Sequence, residues 1–158
     1  MSKAGYSYST LAAVALSAAT AKSILTVLAP AQFGIDLTKI RIGFDGVTAS
    51  AVPALVELMD NTLATNSTVG TGNTTCGTAI QNYGRTITPG FTGFYNSTSE
   101  PTVLTAFDSW SLTPNGGLVI YDWPLGSTHD TPVSAGVTMR VTAPAAVNAR
   151  ATMWFERC

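Results

Sequence analysis

The chain has 158 residues, 46% of them hydrophobic, with 8 Lys and Arg against 9 Asp and Glu and a net charge of −1 at pH 7. That length is one domain, of the size that buries roughly 70% of its unfolded surface. Charged residues are only 11% of the chain, against roughly 25% in ordinary soluble domains, and its scattered Lys and Arg form no basic patch, so nucleic-acid binding is disfavoured.

So much neutral surface suits a subunit that buries faces against neighbours. Residues 1–10 (MSKAGYSYST) read as an N-terminal arm ahead of a single β-sandwich domain spanning 11–158. Tyr6 and Tyr8 fall on one face of an extended segment. Alone, the arm buries too little to offset an ordering cost of roughly 1–2 kcal/mol per residue. It is therefore expected to anchor on a neighbouring subunit, the two tyrosines supplying area and hydroxyl hydrogen bonds; the competing expectation is an edge strand on the chain's own sheet. Residues 1–21 also imitate a secretory signal, with Lys3 as basic region, LAAVALSAA as apolar core and Ala19-Thr20-Ala21 as cleavage site. One lysine is a weak basic region, and the apolar run is too short to span a bilayer, so no membrane partner is expected.

Residues 11–16 and 22–28 are apolar runs separated by SAATA. Ile24, Thr26, Val27 and the stop at Pro30 tilt both toward strands rather than a helix. DLTKIRIGF (36–44) alternates with Ile40, Ile42 and Phe44 inward and Lys39 and Arg41 outward, and Asp45-Gly46 turns the chain. Pro53 marks a strand start or edge, after which Val56 and Leu58 oppose Glu57. Residues 60–101 shift to Thr, Asn, Gly and Ser and read as a long excursion from the sandwich, with one irregular hairpin through residues 81–88. Strand composition returns over 102–112, followed by Pro114-Asn115-Gly116-Gly117, a strong hairpin turn.

The run 112–157 alternates three more times between turn signals. Leu118 and Ile120 oppose Val119, Tyr121 and Trp123. Val137, Met139 and Val141 alternate with Thr138, Arg140 and Thr142. Ala149, Ala151, Met153 and Phe155 share one face, with Arg150, Thr152, Trp154 and Glu156 on the other. The count is about eight strands with little helix: an all-β fold, an antiparallel two-sheet sandwich of jelly-roll or related Greek-key topology. An immunoglobulin-like sandwich is the runner-up, though Cys76 lies in a loop and no Cys-Trp-Cys spacing supports it.

Catalytic chemistry finds little footing. The one histidine, His129, lies in GSTHD with Ser127 and Asp130, but a triad is assembled from separated elements, and this stretch reads as a solvated turn. One histidine cannot furnish the several ligands of a jelly-roll metal site, and no Gly-rich phosphate loop precedes a helix; neither metal nor cofactor is expected. Among the carboxylates, Asp45 reads as a turn cap, Glu57 as solvated on a wet strand face, and Asp108 and Asp122 as cross-sheet partners for Arg140 or Arg150. Cys76 and Cys158 lack metal or redox spacing and read as two reduced thiols, with a single disulfide left open. Trp110, Trp123 and Trp154, with Tyr121, supply bulk for a core or an oligomer interface, or an aromatic platform for a sugar.

FDGVTASAVP (44–53) running into Leu55–Leu58, then Ser99–Pro101, LTPNGGLVIYDWPL (112–125) and Val137–Glu156 with its terminal Phe155-Glu156 pair together span most of the chain after Leu37. In these stretches the chain resembles the small β-sandwich decoration, or cement, proteins of tailed-bacteriophage capsids, including those of cyanophages. The resemblance implies a non-enzymatic stabiliser, made in the host cytoplasm. It implies copies on the outer surface of the capsid, typically homotrimers at three-fold positions, that bridge neighbouring major capsid protein subunits. Tyr6, Tyr8, Trp110, Trp123 and Trp154 are then the candidate capsid or subunit contacts. The alternative is a carbohydrate-binding jelly-roll module of a tail fibre or spike.

Overall fold

The computed structural model describes residues 4–45, 52–62, 73–101 and 103–158. Every regular element among them is a β-strand: β1 (Gly5–Ser9), β2 (Val14–Leu16), β3 (Ala21–Leu28), β4 (Ile35–Asp45), β5 (Ala54–Thr62), β6 (Thr74–Thr75), β7 (Ile80–Tyr83), β8 (Thr92–Tyr95), β9 (Leu104–Leu112), β10 (Leu118–Asp122), β11 (His129–Thr131), β12 (Ala135–Thr142) and β13 (Val147–Arg157). Gly46 of the expected 45–46 turn and Lys3 lie outside the described residues.

Two antiparallel sheets form. The first runs β10-β4-β13-β1-β7, with β11 also on β4 and β2 also on β13; the second runs β6-β8-β3-β12-β5-β9. With β6, β7 and β8 set aside, and β1 and β2 counted as one position and β10 and β11 as another, eight positions pair in nested order. The first pairs with the last (β1 and β2 with β13), the second with the seventh (β3 with β12), the third with the sixth (β4 with β10 and β11), and the fourth with the fifth (β5 with β9). That nesting is a long hairpin rolled into two sheets, the jelly-roll form of the sandwich expected from the sequence.

The inner faces follow the period of two. Val137, Met139, Val141, Ile40, Ile42, Val56, Leu58, Ala149 and Met153 are all fully buried, and Trp154 and Glu156 lie on the wetter face as their alternation requires. Two expected hairpins are absent. The PNGG turn does carry Gly116 in the left-handed region (φ 75), but it crosses from β9 in one sheet to β10 in the other. Residues 81–88 form no hairpin either. β7 pairs with β1, whereas β6 and β8 extend the opposite sheet from β3. Residues 73–101 of the excursion therefore close over one flank of the sandwich and lengthen both sheets there.

Residues 5–9 are also not an arm. They form β1, held between β13 and β7. Tyr6 and Tyr8 point inward, 0% and 2% exposed, their rings 6.3 and 5.8 Å from that of Phe155. Their hydroxyls donate to the carbonyls of Ile87 (3.1 Å) and Phe91 (2.8 Å). The segment gains from its own excursion and last strand the contacts that the anchor expectation assigned to a neighbour. The ladder and aromatic burial together offset the ordering cost.

Candidate functional site: an open flank of the sandwich

Among the described residues, the flank opposite β7 is open. β9 ends one sheet and β10 the other, and no residue of either strand is buried. Asp108 and Trp110 stand opposite Leu58 and Val56, and Val119 and Tyr121 opposite Ile42 and Ile40. Residues directly opposite in a ladder share a face, so all four belong to the inner faces. Here they line a cavity of about 280 Å³ open to solvent instead of a closed core. The Trp110 indole N–H is out of solvent's reach and has no acceptor among the described residues. Among the described residues Asp108 accepts one hydrogen bond, from the backbone N–H of Ser109 at 2.8 Å, and has no cation beside it. On the outside of β10, Leu118 and Ile120 are 59% and 54% exposed.

One end of this flank is closed by a cluster the sequence did not announce. Asp108 opposes Leu58 and Ala106 opposes Met59, so Phe107 is the extra residue of a β-bulge, a device that re-aims a side chain. Its ring stacks on His129, centroids 3.5 Å apart and planes 8° from parallel. His129 Nε2 lies 2.8 Å from the Asp60 carboxylate, which also accepts the Thr131 hydroxyl at 3.3 Å. His129 is thus not in a solvated turn. It lies on β11, opposite Leu37 of β4, and its partners come from β5 and β9, far away in sequence.

A second feature lies on the outer face of the first sheet. Trp123 and Trp154 line one shallow cavity of about 280 Å³ with Tyr83, Glu156, Lys39, Asp122 and the fully exposed Leu125. Lys39 pairs with Asp122 at 3.0 Å and sits 5.5 Å from the Trp154 ring; Tyr83 donates its hydroxyl to Glu156. Tyr121 meets Trp123 edge-on at 4.7 Å. The three tryptophans therefore form no single row. Trp110 lines the cavity between the sheets, whereas Trp123 and Trp154 line the shallow outer one, Trp123 packing against the core as well. Tyr6 and Tyr8, in the core, touch neither.

The carboxylates pair differently from expectation. Arg140 binds Glu57 through both ends of its guanidinium (2.9 and 3.1 Å). This partly buried pair raises the arginine's affinity for its proton. Arg150 meets Asp45 at 3.5 Å. Glu57 is thus ion-paired rather than solvated, Asp45 meets Arg150 while the turn it was expected to cap continues outside the described residues, and neither Asp108 nor Asp122 meets Arg140 or Arg150. Cys76 is buried and Cys158 exposed, with no disulfide between them; burial pushes the Cys76 thiol up to about 12. Among the described residues no three His, Cys, Asp or Glu side chains gather as a metal site requires.

No known family model matches the chain, and no curated protein matches it. A cryo-EM structure of Broad Bean Stain Virus superposes over 100% of this chain and 89% of its own, at 11% identity and a TM-score of 0.29. A superposition that loose carries neither fold nor function to this chain.

Proposed function

We propose that the chain is a non-enzymatic structural protein of a tailed-phage particle. It sits on the outer surface of the capsid as a homotrimer at three-fold positions and bridges neighbouring major capsid protein subunits. The observation that carries this reading is the open flank. Two adjacent edge strands without one buried residue, walled by Trp110, Val119 and Tyr121 and flanked by exposed Leu118 and Ile120, form a patch that proteins working in isolation normally cover. The low charge supports it, as does the resemblance of residues 44–58, 112–125 and 137–156 to capsid decoration proteins. The jelly roll is compatible and no more, since that fold hosts many roles. The test is mass spectrometry and cryo-EM of particles of the phage that encodes the chain. Copies in fixed ratio to the major capsid protein, with density at three-fold positions, are expected. Particles lacking the chain, or holding it only on the tail, overturn the reading.

The outer-face cavity favours a second reading, a carbohydrate-binding module of a tail fibre or spike. Two indoles and a phenol beside a carboxylate and an ion pair offer apolar faces and fixed hydrogen-bonding groups to a sugar ring. A glycan array followed by calorimetry separates the two: saccharide binding abolished by Trp154→Ala supports the module.

A further inference from the structure

We propose that the open flank is filled by a second copy of this chain: Arg85 of one copy enters the cavity of the next and pairs with Asp108. The inference deepens the trimer reading above and rests on it.

The cavity specifies its occupant. At about 280 Å³ it has room for one long side chain. Its walls are an indole, a phenol and a valine, and its charged group is Asp108, a carboxylate with no cation beside it among the described residues. An apolar stem carrying a positive head fits that chemistry, because the stem lies along Val119 while the head meets the carboxylate and the aromatic faces.

The chain holds a matching group. Among the described residues Arg85 is the one basic side chain with no hydrogen bond, ion pair or ring contact. Lys22, Lys39, Arg41, Arg140, Arg150 and Arg157 are each engaged within the fold. Arg85 is exposed, yet its loop is pinned: its carbonyl accepts Gln81 Nε2 at 2.7 Å, and the Ile87 carbonyl accepts Tyr6. A pinned loop presents the guanidinium with less entropy left to lose on binding.

Placement supplies the direction. Arg85 follows β7, and β7 and β10 are opposite ends of the sheet order β10-β4-β13-β1-β7. Four inter-strand steps separate them by about 19 Å, beyond the reach of one side chain, so Arg85 cannot fill its own chain's cavity. Donor and acceptor on opposite flanks make a head-to-tail contact, which closes into a ring when the rotation between copies allows it, as a trimer requires.

Light scattering on the full chain and on Arg85→Asp, Asp108→Arg and the double variant carrying both tests this, with thermal melts confirming that each folds. Wild type is expected as a trimer. Each single variant is expected to lose about tenfold or more in association, the scale of a close interfacial charge pair, and the double variant, with the charges exchanged, to regain it. Single variants that stay trimeric, or a double variant that fails to recover, overturn the pairing while the trimer reading stands. A monomeric wild type at micromolar concentration overturns both.

Discussion

At the scale of single residues, burial and partners decide behaviours that residue type alone leaves open. His129 shows this: its ring covers Phe107 and its Nε2 holds Asp60. His129→Ala removes a stack and leaves a half-buried carboxylate with only the Thr131 hydroxyl. The expected loss is about 1–2 kcal/mol, or roughly 2–8 °C in melting temperature; an unchanged melting curve returns His129 to the status of a solvated turn residue. Tyr8 and Cys76 make a pH prediction. Burial, with the Cys76 charge as second cause, lifts the Tyr8 phenol from 10.0 to about 12, and burial lifts the Cys76 thiol from 9.0 to about 12. Both neutral forms are favoured by folding. Their contribution is therefore complete below the unfolded values and is lost as pH rises from about 9 toward 12. Melting temperature against pH should fall over that window, and less steeply in Tyr8→Phe; a level profile to pH 12 contradicts the burial of both groups.

At the scale of elements, β1 is the strand whose role changed most between sequence and structure. Its inward side is aromatic (Tyr6, Tyr8) and its outward side small (Gly5, Ser7, Ser9), and the fit needs glycine on the far side: a Cβ on Gly93 would stand 2.7 Å from the Tyr8 ring. Removing residues 1–10 should therefore unfold the domain rather than detach an accessory. Tyr6→Ala should cost about 3–5 kcal/mol, as for other large aromatic truncations. Denaturant titration checks both; a truncated chain that melts like the full one restores the arm. What alternation could reveal was legible, because a face repeating every second residue over 36–44, 137–142 and 149–156 is set locally. Pairing was not, because it depends on distant partners. Nothing in PNGG tells whether the next strand joins the same sheet or the opposite one, and nothing in Gln81–Tyr83 names β1 as its neighbour. The open flank was hidden for the same reason. Trp110 and Tyr121 read as core or interface, and only the two sheet orders show them at a shared, uncovered edge.

At the scale of the whole molecule, the sandwich is asymmetric in closure, and exchange of backbone amides can read that asymmetry. On the β7 side the excursion adds strands to both sheets, and the Tyr6 and Tyr8 hydroxyls fasten it down. On the other side β9 and β10 each have, among the described residues, one ladder neighbour, so every second amide faces outward without a strand partner there. In a lone chain β12 and β13, paired on both sides, should open only with global unfolding, whereas β9 and β10 should exchange through local fraying. Association through the β9–β10 flank changes one part of this pattern: it covers the two edges and leaves the centre as it was. The weakly associating reference is Arg85→Asp, which alters a loop on the opposite flank and no strand of the open one. Hydrogen exchange followed by mass spectrometry should therefore show peptides from 104–122 slowing about tenfold or more from variant to wild type, the factor matching a close charge pair, with peptides from 135–142 and 147–157 unchanged. If wild type and variant exchange alike over 104–122 although light scattering shows the wild type associated, copies meet through another surface. The Trp123–Trp154 face of the first sheet, with its exposed Leu125, is then the next surface to map.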